Sequence, residues 1–212
     1  MPRIDDFKQA RTLVKKELSD KEPDFIANFS GALFHSDHPD SGVFSLNFLN
    51  RKIAISWPAL EFSYEGSTEE ISIQQQVLLL HYLYGTSSSS GAGTTGEWIS
   101  FQDVPDGRFY MGAFIKRAKD PLLKTFGDNP KLMIDLASKA YGASPLDYGD
   151  FSVKLKALPL VPVALVLWEG DDDFPPEGNI LFDKNIPKIL SAEDIAWLAG
   201  MVVYPLMGMA NK

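Results

Sequence analysis

Cysteine is missing from all 212 residues, and that single absence removes disulfide bridges, thiolate zinc sites, iron–sulfur ligation by this chain and cysteine nucleophiles together. A reducing compartment fits such a chain, and a cytoplasmic protein is expected. Positive charge is scarce: 20 Lys and Arg stand against 28 Asp and Glu, for a formal net charge of -8. The bases are also dispersed, with no stripe of them along one predicted helix. A phosphate backbone would therefore be repelled, and nucleic acid is not an expected partner. Long apolar runs are missing too. The most apolar stretch, Ile195 to Ala210, contains Pro205 and falls short of the roughly 20 residues that cross a bilayer. It reads as a buried helix, and no membrane partner is expected. The start, MPRIDDFKQA, has acids where a secretory signal has its basic and apolar regions, so no cleaved export signal is expected.

Several catalytic signatures are absent as well. There is no Gly-Lys-Ser or Gly-Lys-Thr for a Walker A loop and no Gly-x-Ser-x-Gly nucleophile elbow. One motif is nominally present: SSSSGAGTTGEW carries Gly91, Gly93 and Gly96 in the spacing G-x-G-x-x-G. A dinucleotide turn needs a strand before its glycines and a helix after them, because the pyrophosphate sits on the helix N-terminus. Here a helical pattern precedes and an extended one follows. The glycines are read as chance spacing in a flexible, low-complexity Ser/Gly loop over 86–96.

What is there predicts an α+β chain, antiparallel or mixed sheets packed by several helices, as one compact domain over 1–212. Ile4, Phe7, Val14 and Leu18 mark one face of an N-terminal helix, with Asp5 and Asp6 in its first turn. Val43 to Ser56 alternates around a turn at Asn50, and the β-rich composition continues to Tyr64, a small meander. Ile71 to Tyr84 has the breadth of a core helix. EWISF alternates as a short extended piece and DVPDG reads as a turn. Phe109 to Lys119 is helical, Asp120-Pro121 opens a second helix, and Asn129-Pro130 opens a third that runs to about Tyr141 with Leu132, Leu136 and Ala140 inward. Ser152 to Leu158, Val161 to Trp168 and Asn179 to Phe182 read as strands, and Ser191 with Asp194 caps the final helix.

Three places carry chemistry. HSDHPD sets His35 and His38 three apart with Asp37 and Asp40 among them, all acceptable ligands for a transition metal. Surface loops are rich in these residues too, no third ligand is defined, and no metal is assigned. His81, inside an apolar helix, reads as a hydrogen-bonded core histidine. LWEGDDDFPPEGNILFD ends an apolar strand at Trp168 and then presents Glu169, Asp171, Asp172, Asp173 and Glu177, followed by Asn179 and Asp183. Crowded carboxylates hold a hard cation or raise one another's pKa for acid–base work, or they form a solvated turn stiffened by Pro175 and Pro176. The spacing does not match a calcium loop. GEWISF and DGRFYMGAFIKR supply Trp98, Arg108 and Tyr110. Trp98, Tyr110 and Trp168 wall a pocket floored by arginine and carboxylates, or Arg108 is a plain structural bridge to Glu169 or an aspartate.

The strings LLLHYLYG, TGEWISF, DGRFY, AFIKRAKDPLLKTFG and VPVALVLWEGDDDFPPEGNILFD resemble an uncharacterised domain-of-unknown-function family of anaerobic bacteria and archaea, over roughly Phe7 to Met207. The resemblance implies a setting near corrinoid or iron–sulfur metabolism, since some members carry a cysteine-rich iron–sulfur module. This chain lacks that module. The family passes from the helix to TGEWISF through a shorter linker, so the Ser/Gly tract is a local elaboration. No established activity or cofactor comes with the resemblance. The first expectation is a binding module whose aromatic and charged cleft, with Trp98, Arg108, Tyr110, Trp168, Glu169, Asp171, Asp173, Glu177 and Asn179, holds a small-molecule ligand or a protein partner. The alternative is a metal- or carboxylate-dependent, hydrolase-like enzyme using the acidic turn 169–177.

Overall fold

The computed structural model describes residues 4–38, 40–89 and 92–211, with the side chain of Asp37 left out. The architecture is α+β with two antiparallel sheets. Backbone contacts group the chain into two compact units. One holds residues through Gly93 with Leu158–Leu160 and Lys188–Leu190; the other holds the rest, from Thr94 onward.

The first unit begins with α1 (Ile4–Ser19), whose acids at Asp5 and Asp6 and base at Lys16 complement the helix dipole. Its buried stripe is shorter than the sequence pattern: Val14 and Leu18 are buried and Phe7 half-buried, whereas Ile4 is 60% exposed. An amphipathic face is buried only where a neighbour lies against it. Next comes α2 (Pro23–Ser30), a helix the periodicity did not announce. Its ends carry the signature of one, with Pro23 at the first position and Gly31 closing it at φ 69° with its N–H on Ala27 O.

Strands β1 (Leu33–His38), β2 (Ser41–Phe48), β3 (Arg51–Trp57) and β4 (Phe62–Tyr64) form the expected meander in that order. Phe44, Leu46, Phe48, Ile53 and Ile55 alternate into the core. Leu49 and Asn50, both at positive φ, make the tight turn between Phe48 and Arg51. The core helix α3 (Ile73–Ser88) starts at a capping box of Ser72 and Gln75. Tyr82, fully buried, donates its hydroxyl to Ser30 O and accepts from Leu160 N–H. The helix also runs into the Ser/Gly tract expected as loop, because Thr86 and Ser87 are buried and return their hydroxyls to Tyr82 O and Leu83 O at 2.8 Å. Gly85 is required where it stands: a Cβ there would lie 1.9 Å from Ile189 O.

In the second unit, β5 (Trp98–Ser100) leads through a 3-10 turn at Phe101–Asp103 into α4 (Gly107–Phe114). A π-turn at Ile115–Lys119 then joins α4 to α5 (Asp120–Phe126). Asp120-Pro121 thus opens no new helix, since Lys119 and Asp120 keep helical φ and ψ. A proline inside a helix has no N–H for the carbonyl four residues back, here Arg117 O, and a widened turn is one way to accommodate it. That carbonyl lies 3.4 Å from where a Cβ on Gly200 would be.

The next helix, α6 (Pro130–Tyr141), starts where Asn129 accepts Leu132 N–H. Its inward stripe is Pro130, Met133, Ala137 and Tyr141, one position round from the expected Leu132, Leu136 and Ala140, which are only half-buried. The bond from Tyr141 Oη to Val202 O, 2.7 Å, fixes that rotation. Strands β6 (Ser144–Pro145), β7 (Phe151–Leu158), β8 (Val161–Trp168) and β9 (Glu177–Asp183) complete a sheet of order β5-β9-β8-β7-β6. The final helix, α7 (Ala192–Ala210), opens on the expected box of Ser191 and Asp194 and has Pro205 inside it. No helix among the described residues is long and apolar enough to cross a membrane.

Candidate functional site

Strand β9 positions nearly everything the sequence singled out. It lies between β5 and β8, with Trp98 opposite Asp183 at one end and Trp168 opposite Glu177 at the other. Side chains alternate between the two faces of a strand. Gly178, Ile180 and Phe182 point to the core, where Phe182 meets the rings of Phe101 and Phe114, themselves stacked at 4.3 Å. Phe101 of GEWISF is therefore a core residue. Glu177, Asn179, Leu181 and Asp183 share the other face. There Ala164, Val166 and Leu181 form a small buried cluster, with Trp98, Leu146 and Trp168 packed against it.

The register of β9 keeps the two tryptophans apart. Their partners are six residues apart on one strand, about 20 Å of rise. Tyr110 lies on α4 beside Glu193, whose carboxylate pushes its hydroxyl pKa above the ordinary tyrosine value. Arg108, exposed in the first turn of the same helix, forms no ion pair among the described residues, so the expected bridge to Glu169 or an aspartate is not made.

At the Trp98 end the chemistry is structural. Asp183 is 3% exposed, and its carboxylate accepts from Thr95 N–H and Gly96 N–H at 2.8 Å, Thr95 Oγ1 at 3.1 Å and Asn185 N–H at 2.9 Å. This moors the end of the Ser/Gly tract to the sheet. Ser90 and Gly91 lie outside the described residues. Gly96 enters a strand and not a helix, as expected for a motif that is no dinucleotide turn. On the surface nearby Lys184 pairs with Glu97 at 2.7 Å, which raises the lysine's pKa.

At the Trp168 end the acids are outward. Glu169, Asp171, Asp172, Asp173 and Glu177 are all exposed, and none is in an ion pair among the described residues. The turn itself is firmly built. Asp171 N–H donates to Phe174 O, and Asp171 Oδ1 accepts from Asp173 N–H and Phe174 N–H at 2.9 and 2.8 Å. Gly170 fits where a Cβ would lie 2.7 Å from Pro176 N. A second loop, 146–150, joins it. Asp150 N–H donates to Leu167 O at 3.2 Å, and Asp150 Oδ2 accepts Glu169 N–H at 2.9 Å. Gly149, at φ 65°, lets this loop lie against Val166 and Trp168. Tyr148 then sets its ring edge on Trp168, centroids 6.5 Å apart. Asp147, Tyr148 and Asp150 were not singled out from sequence. The assembled end presents Phe174, 71% exposed, and Tyr148, 44% exposed, among these carboxylates. Asn179 lies two residues along β9 from Glu177, opposite Val166 and half-buried.

His35 and His38 lie on β1, Asp40 is exposed beyond it, and Pro39 and the side chain of Asp37 fall outside the described residues. His81 is half-buried in α3. Among the described residues no three of His, Asp and Glu are placed to hold a metal ion together.

The family model described as Domain of unknown function (DUF3786) matches residues 22–204, and the chain belongs to that family. No curated protein and no solved structure matches it.

Proposed function

We propose that this member of the family is a binding module that docks a basic protein surface on the end of the second sheet built by 146–150 and 168–177. The observation that carries the reading is Phe174, 71% exposed, with Tyr148 beside Trp168 on a turn whose carboxylates have no cationic partner among the described residues. Exposed aromatics are the usual anchors of protein interfaces, and charges at their rim steer the encounter and choose the partner. Asp171 and Asp150 hold the turn in shape through backbone hydrogen bonds, so little ordering entropy opposes docking. The same donors weaken the hydrolase-like alternative. One of its carboxylates, Asp171, is already committed to the backbone, and a cation site there needs a convergence that the described residues do not make. The family resemblance suggests where the partner belongs: among proteins of corrinoid or iron–sulfur metabolism in the cytoplasm.

The test is affinity capture from an extract of the source cells by the wild type and by a variant carrying Asp172→Lys and Phe174→Ser. The reading expects proteins held by the wild type at moderate salt and lost by the variant, with equal melting temperatures. The same captured set on both overturns it.

A further inference from the structure

We propose that the exposed face formed by Arg108, Phe109 and Gly112 of α4 and Lys116 of the π-turn after it docks on the acidic, aromatic turn of a second copy of this chain; the inference rests on the turn being a docking surface. Phe109 is 85% exposed, the highest value among the exposed large apolar residues. Arg108, Gly112 and Lys116 are exposed and spaced by four, so they follow one side of the helix. Neither base forms an ion pair among the described residues. Gly112 supplies a separate argument. A glycine in a helix interior costs about 1 kcal/mol against alanine, and a Cβ at Gly112 would meet nothing within 4 Å. No contact among the described residues calls for glycine there. A surface lying close against the helix does, because without a side chain the strip between Phe109 and Lys116 stays flat.

Charge and shape choose the occupant. On a chain of net charge -8, most pairs of surfaces from two copies repel. The α4 face against the turn is an exception: Arg108 and Lys116 meet Asp147, Asp172, Asp173 and Glu177, while Phe109 meets Phe174 and Tyr148. The arginine–carboxylate pairing that the sequence suggested within one chain becomes available between two. Such a contact joins different patches, so each copy keeps one open face and association continues beyond the dimer.

Sedimentation equilibrium of the full chain over a concentration series, at low and at high salt, tests this. The wild type is expected to exceed monomer mass at low salt and to return toward it as salt screens the charges. A variant carrying Arg108→Glu and Phe109→Ser, and another carrying Asp172→Lys and Phe174→Ser, are each expected to stay monomeric with unchanged circular dichroism. Mixed, they are expected to give a one-to-one dimer and nothing larger, because one intact face of each kind remains. A monomeric wild type, a variant that associates as the wild type does, or a mixture that stays monomeric overturns the proposal. A short lysine–tryptophan peptide titrated into the wild type and the turn variant separates the two readings. Binding to the wild type alone, with no self-association, keeps the turn as a docking surface and overturns the second copy as its occupant. Binding to neither overturns both.

Discussion

The two ends of strand β9 put the same chemical group to opposite uses. Asp183 is buried and accepts from four donors contributed by Thr95, Gly96 and Asn185. Ahead of the other end of the strand, Asp172 and Asp173 extend their carboxylates into water. A carboxylate taken out of water persists only when its oxygens are saturated, so Asp183 belongs to the fold. Exposed carboxylates cost the fold little and leave their charge available to a partner. Burial and hydrogen-bond saturation, more than the number of acids in a segment, separate structural from surface chemistry here.

This contrast is open to direct mutation. Asp183→Ala removes the buried acceptor shared by Thr95, Gly96 and Asn185 and is expected to cost about 3 kcal/mol in urea unfolding. A loss under about 1 kcal/mol would erase the distinction between the two ends. Gly149→Ala forces a left-handed residue and brings a Cβ to 2.7 Å from Val166 Cγ1, so about 2 kcal/mol is expected. Because the same loop seats Tyr148, partner capture should fall as well, which a purely structural glycine elsewhere would not cause. Asp171→Ala removes an acceptor from two exposed N–H groups, and a drop of about 0.5 kcal/mol with weaker capture is expected. Smallest of all, Asp172→Asn should leave the unfolding midpoint unmoved while reducing the salt sensitivity of partner binding.

Much of the fold was legible from local pattern. The meander followed from alternation and a turn at Asn50, and the last helix from its Ser191 and Asp194 box. Helix α2 went unread although Pro23 and Gly31 mark its ends, because eight residues give periodicity little room. The π-turn was not, because Asp120-Pro121 reads equally as a helix start when the preceding helix is not known to continue. The inward stripe of α6 was missed by one position since two neighbouring stripes are apolar, and only the contact of Tyr141 with Val202 selects between them.

The candidate site divides in the same way. Its acids were visible as a run in one segment. That Tyr148 and Asp150 join them depends on the bonds of Asp150 to Leu167 and Glu169, across some twenty residues of chain with no local signal. That Trp98 and Trp168 lie at opposite ends depends on the register of β9, which alternation alone leaves undetermined.

The central claim is that the outward-facing end of β9 is where a partner docks and the saturated end is not. Amide hydrogen exchange, with and without the captured partner, measures this most directly. The account predicts added protection at 146–150 and 168–177 and unchanged exchange at Thr95, Gly96 and Asn185. Protection confined to the Asp183 end, or none at the acidic turn, would contradict it.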